Sequence, residues 1–109
     1  MKILFDQGTP APLRDFLLNH DVSTAYELGW STLKNGELLS MAETNSFEVF
    51  ITTDTNLRYQ QNLIQRKIAI VVLSTTSWPR IKSNTSKIIT AVNQSADNSF
   101  IEVNIPFDN

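Results

Sequence analysis

A chain of 109 residues that is 41% apolar and 18% charged, with a net charge of −2, is expected to be a single globular domain, 1–109, with an ordinary hydrophobic core. It has no Cys, which excludes disulfide scaffolds, thiol nucleophiles and thiolate zinc sites, and its single His, His20, leaves no His-rich metal site. No apolar run nears the ~20 residues of a membrane span and the start has no signal-peptide pattern, so the expectation is a cytoplasmic protein off the membrane whose nucleic-acid contacts, if any, are local.

Short apolar runs alternate with helical patterns along the whole chain. Ile3, Leu4 and Phe5 form a brief buried-strand signal. Thr9 then reads as an N-cap with Pro10 in the first helical position, and Leu13, Phe16 and Leu17 supply the i, i+3, i+4 stripe. A weak strand follows around Asp21–Thr24. After a loop through Gly29 and Trp30, Asn35 reads as the N-cap of a helix whose apolar face is Leu38, Met41 and Ala42.

Residues 49–53 are β-rich and Asp54 ends them. Residues 57–65 read as a short helix rich in amides, and 68–73 as the strongest strand, apolar on both faces. Such a strand suits the middle of a covered parallel sheet. One last helix is predicted from Pro79, with Ile81, Ile88, Ile89 and Val92 on one side, and a final strand through Phe100, Ile101, Val103 and Ile105. The alternation predicts an α/β fold: a parallel five-stranded sheet with helices on both faces and right-handed crossovers.

In that architecture the C-terminal ends of the strands and the starts of the following helices share one edge, where ligands bind. Asp6, Glu37 and Asp54 fall there from three separate units, with Asn35, Asn56 and the hydroxyl run 74–77 beside them. Three converging carboxylates suit a hard cation such as Mg²⁺ or Mn²⁺, which could activate water against a phosphodiester. Each acid also has a plainer role, in an Asx-turn or against a helix dipole. Arg58, Tyr59 and Arg80 are candidates for holding a phosphate backbone; Arg66, Lys67 and Lys82 lie nearby in sequence. His20 reads as a surface residue, and Trp30 and Trp78 as packing anchors.

Three local patterns give a resemblance. Asp6-Gln7-Gly8-Thr9-Pro10, Lys34-Asn35-Gly36-Glu37-Leu38 and Ile51-Thr52-Thr53-Asp54-Thr55-Asn56-Leu57 resemble, in order and spacing, the strand-end and helix-start motifs of short bacterial PIN-like proteins, relatives of the VapC-type toxin ribonucleases. The resemblance implies a PIN-like three-layer fold with strand order 3-2-1-4-5. It also implies a metal-dependent ribonuclease, of the kind that serves as the toxin of a toxin-antitoxin pair, with Asp6, Glu37 and Asp54 as catalytic acids. These three and Asn56 would then hold Mg²⁺ or Mn²⁺, and an antitoxin-like protein or a second copy of the chain would be the partner. Gln7, Asn35 and Asn56 stand where the family has acids, which also admits a catalytically inactive module that binds protein or RNA. A third alternative is a receiver-like phosphoacceptor built on Asp6, Asp54 and Ser74 or Thr75, a reading that lacks the expected second acid after Asp6 and the Lys after the last strand.

Overall fold

The computed structural model describes residues 1–57 and 66–107. Within these the strands are β1 (Lys2–Phe5), β2 (Asp21–Thr24), β3 (Val49–Thr52), β4 (Ala69–Leu73) and β5 (Phe100–Val103). All four pairings are parallel, and the sheet order is β2-β1-β3-β4-β5. The α/β class and the five-stranded parallel sheet therefore stand. The strand order 3-2-1-4-5 does not, because β3, not β1, is central.

Composition explains the difference. An interior strand of a parallel sheet is buried on both faces. β1 contributes Ile3, Leu4 and Phe5, β3 is buried throughout, and so is β4. β2 reads Asp-Val-Ser-Thr and none of its residues is buried, so it occupies the edge where polar side chains reach water. β5 takes the other edge.

Side chains alternate between the two faces of a strand, and the core divides accordingly. One apolar cluster gathers Ile3, Phe5, Val49, Ile51 and Val71 under Leu13, Leu17, Ile81, Ile88 and Val92. The other gathers Leu4, Phe50, Ile70 and Val72 under Leu38, Leu39, Ala42 and Leu57. The second face is covered by helix α1 (Asn35–Thr44). Over the first lie a 3₁₀ helix (Ala11–Phe16), α2 (Trp78–Lys82) and α3 (Thr85–Gln94).

Four local expectations change. The first helix is a 3₁₀ helix capped by Pro10, with Pro12 in its first turn and Thr9 outside it. Phe16 is more than a third exposed and lies against Trp78, their ring centroids 6.0 Å apart. Asn35 is the first residue of α1 rather than its cap, and Leu39, not Met41, completes the buried face. The predicted last helix is two, broken at Ser83 and Asn84, because Ser83 caps α2 and Asn84 begins the next turn. The helix proposed over 57–65 lies outside the described residues beyond Leu57.

Handedness also departs from expectation. The β1→β2 and β4→β5 connections step in opposite directions across the sheet yet pack over the same face. Two such crossovers have opposite hands, so the right-handed rule holds for one of them alone. No helix among the described residues is long and apolar enough to cross a membrane.

The order places Phe50, fully buried, at the middle of the sheet. Phe50→Ala is expected to cost about 3–5 kcal/mol, whereas Val22→Ala on edge strand β2 should cost about 1 kcal/mol. Urea denaturation of the two variants checks the contrast.

Candidate functional site

The register of β1 and β3 pairs Phe5 with Ile51, and the Asp6 amide continues the ladder by donating to the Ile51 carbonyl at 3.1 Å. Asp6 thus stands beside Thr52 at the C-terminal edge, half-buried at the end of a buried strand. Its carboxylate is solvated by the protein. Oδ1 accepts from the Thr9 amide at 3.0 Å and the Thr9 hydroxyl at 2.6 Å, and Oδ2 accepts from the Thr52 hydroxyl. The Thr9 hydroxyl oxygen also lies 3.0 Å from the Ile51 carbonyl, and Thr9 stands one residue before the cap position of the 3₁₀ helix, Pro10.

Thr52 is fully buried and links the two acids. While it donates to Asp6, its Oγ accepts the Asp54 amide at 3.0 Å. Asp54 forms an Asx-turn, its Oδ1 accepting the Asn56 amide at 3.0 Å. Its Oδ2 accepts the side-chain amide of Asn35 at 2.7 Å, across from the first turn of α1. Gly8 packs closely against the end of β3: a Cβ there would lie 2.6 Å from Thr53 Oγ1, so the Thr53 side chain would have to turn away.

Burial lifts the Asp6 carboxyl above the ordinary aspartate value; hydrogen bonds from Thr52 and Thr9 oppose the shift, and the charge of nearby Asp54 adds to it. Asp6 and Asp54 are therefore brought together electrostatically and through Thr52. Glu37 lies exposed in the first turn of α1. Among the described residues no three acidic or imidazole side chains form a group that could share a metal ion. Asn56 is exposed and meets Asp54 through its backbone. All four carboxylate oxygens of Asp6 and Asp54 accept hydrogen bonds from N–H or O–H donors of the chain.

Arg80 is spent within the fold. Its guanidinium donates to the carbonyls of Ile105 at 2.7 Å and Pro106 at 3.2 Å and to Thr75, and it stacks 3.9 Å from the Phe107 ring. Arg66 likewise ties α1 down through Ser40, the Gly36 carbonyl and Glu43. Arg58 and Tyr59 lie outside the described residues. His20 is at the opposite, N-terminal edge, its Nδ1 accepting from the chain's amino group at 3.0 Å.

A cleft of about 810 Å³ opens on this edge, lined by Asp6 and the loop after it, Arg14, Asp15, Tyr26, Glu27, Thr76 and Trp78. Sequence reading passed over its far wall, residues 24–30, although the signals are there. Thr24 and Glu27 form a reciprocal box: the Glu27 amide donates to the Thr24 hydroxyl at 3.1 Å, and the Thr24 amide to the Glu27 carboxylate at 2.9 Å. The turn closes with a Schellman pair, Trp30 N–H to the Ala25 carbonyl and Gly29 N–H to that of Tyr26, with Gly29 at φ 77°. Arg14 bridges from the 3₁₀ helix to Glu27, and with the Thr24 amide it holds that carboxyl down at about 2.

No family model, curated protein or solved structure matches the chain.

Removing the Thr52 hydroxyl leaves Asp6 short of a donor and the Asp54 amide without its acceptor. Thr52→Val is expected to cost about 1–3 kcal/mol despite its equal volume, measured by urea denaturation. A second expectation concerns pH. The folded-state pKa of Asp6 lies above the unfolded one, so the folded protein binds more protons between the two values and stability falls as pH rises through that interval. Asp6→Asn removes this titration. The melting temperature of the wild type relative to Asp6→Asn should fall as pH is raised from about 4 to about 7; a constant difference would contradict it.

Proposed function

We propose that the chain is a PIN-like module that keeps the acidic sheet edge of the ribonucleases it resembles but closes it with amide and hydroxyl hydrogen bonds, and that it works by binding a protein partner rather than by metal-dependent cleavage. The Asn35–Asp54 contact carries this reading. Two carboxylates 2.7 Å apart repel and call for a cation or a shared proton between them. An amide in place of one of them donates to the other, and the pair is neutralised without an ion.

Charge supports protein over RNA as the partner. Arg66 and Arg80, which could have held phosphates, are committed to carbonyls, hydroxyls and Glu43 inside the fold. The cleft beside Asp6 carries three carboxylates against one guanidinium, already paired with Glu27. A polyanion gains nothing there.

One observation favours a second reading. The order β2-β1-β3-β4-β5 is the doubly wound order shared with receiver domains, and Asp54 follows the central strand, where such domains carry the phosphoacceptor. Asn104 and Ile105 follow β5 in place of the Lys that chemistry expects. Incubation with acetyl phosphate and intact-mass measurement tests it, a phosphoryl adduct lost in Asp54→Asn being the supporting result.

The main proposal is tested with Mn²⁺. Millimolar Mn²⁺ should leave the wild-type melting temperature unchanged and elicit no cleavage of structured or unstructured RNA. The variant Asn35→Asp should lose about 1–3 kcal/mol without metal, because its new carboxylate faces Asp54. The triple change Gln7→Glu, Asn35→Asp, Asn56→Asp should be stabilised by Mn²⁺ through mass action. Metal-dependent cleavage by the wild type that disappears in Asp6→Asn would overturn the proposal.

A further inference from the structure

Asn35 and Gly36, the first two residues of α1, are the only Asn-Gly pair in the chain. The pair has a chemistry of its own. A main-chain nitrogen can attack the side-chain carbonyl of the asparagine before it, and glycine puts no Cβ in the way. That nitrogen is also free of the helical ladder, because the first four N–H groups of a helix have no partner within it. The first helical bond here runs from the Leu38 N–H to the Lys34 carbonyl. Both residues are half-buried, so water reaches them.

Two contacts restrain the pair. The Asn35 amide donates to Asp54 Oδ2 at 2.7 Å, and the Gly36 carbonyl accepts from Arg66 at 3.2 Å. Ring closure between Cγ of Asn35 and the Gly36 nitrogen needs the peptide plane between them to rotate. Such fraying of a terminal turn otherwise costs little, and these contacts oppose it. Asp54 therefore holds the reactive side chain as well as being neutralised by it.

We propose that Asn35 is a self-modifying site: it deamidates spontaneously through Gly36, and the carboxylate it becomes releases the start of α1 from the sheet edge. The Gly36 nitrogen bonds to Cγ, the Cγ–Nδ2 bond breaks, and ammonia leaves carrying the Gly36 amide proton. Water then opens the succinimide ring. Attack at Cγ gives aspartate; attack at the main-chain carbonyl gives isoaspartate, which threads the chain through the side-chain carbon. Either product replaces the donor to Asp54 with a second carboxylate. A helix dipole favours an acid in the first turn, but Glu37 is already there, and the new charge stands directly against Asp54. This deamidation rests on the Asn35–Asp54 contact alone: RNA cleavage by the wild type would sink the binding reading and leave it standing.

Ageing the purified chain in mildly alkaline buffer tests it, followed by intact mass, peptide mapping and ammonia release. Conversion at position 35 is expected to run ahead of that at exposed Asn19 and Asn93, which precede His20 and Gln94. Gly36→Ala should abolish it, and because alanine favours a helix the loss would not come from unfolding. Asp54→Ala should speed it while Asn19 and Asn93 keep their rates, which separates a released side chain from a loosened fold. The aged chain should melt about 4–8 °C below the fresh one, as fresh Asn35→Asp should, and aged Gly36→Ala should not shift. No conversion at 35 by the time Asn19 or Asn93 converts would overturn the assignment. So would conversion indifferent to Gly36→Ala, a rate not raised by Asp54→Ala, or conversion that leaves the melt in place.

Discussion

A carboxylate at the end of a strand buried on both faces must be solvated by the protein itself, and at Asp6 that requirement organises the whole C-terminal edge. Burial raises the cost of the charge, and three donors from Thr9 and Thr52 answer it. Thr9 stands one residue before the cap position of the 3₁₀ helix. Thr52 is drawn into a relay that also fixes the Asp54 amide. Asp54 then carries the influence to α1 through Asn35. One buried charge thereby sets the positions of a loop, a strand end and a helix start that lie far apart in sequence.

Much of this was legible in the residues. The alternation of runs located all five strands, and the doubly apolar run at residues 68–73 declared a covered parallel sheet. Asp6 and Asp54 were placed on one edge by topology alone. The strand order was legible too, but in a signal that the resemblance overrode: Asp-Val-Ser-Thr cannot fill an interior position, while Val-Phe-Ile-Thr can. Other features were hidden for physical reasons. Ile81 and Ile88 are seven residues apart and share a face whether one helix or two joins them, so periodicity could not reveal the break at Ser83 and Asn84. The donors that hold Asp6 and Asp54 are common hydroxyls and amides, and spacing does not distinguish a capping Asn35 from one aimed at a carboxylate.

In the proposed reading, amides in place of acids change more than the count of charges. A carboxylate is an acceptor alone, so a cluster of them has unsatisfied lone pairs and mutual repulsion that an ion must relieve. An amide brings two donors. Set against Asp54, Asn35 turns a repulsive contact into a hydrogen bond of 2.7 Å. The same polypeptide geometry that would hold a cation between acids can thus hold itself together when one partner is neutral.

The reversed hand of one crossover has its own consequence. A sheet in which every connection is right-handed sends the β1→β2 and β4→β5 connections to opposite faces in this strand order. Here both lie on one face, and the loop that leads into α2 meets the 3₁₀ helix there, with Trp78 against Phe16. That meeting walls the cleft on the side away from Glu27. Were α2 on the other face, Thr76 and Trp78 would be gone from the lining and the acids of Asp15 and Glu27 would border open surface. The cleft follows from where the chain crosses, and its acidity follows from which residues happen to end β1, β2 and the 3₁₀ helix. Fold and charge overlap at Asp6 and Glu27, whose carboxylates also hold the walls in place, and separate at exposed Asp15.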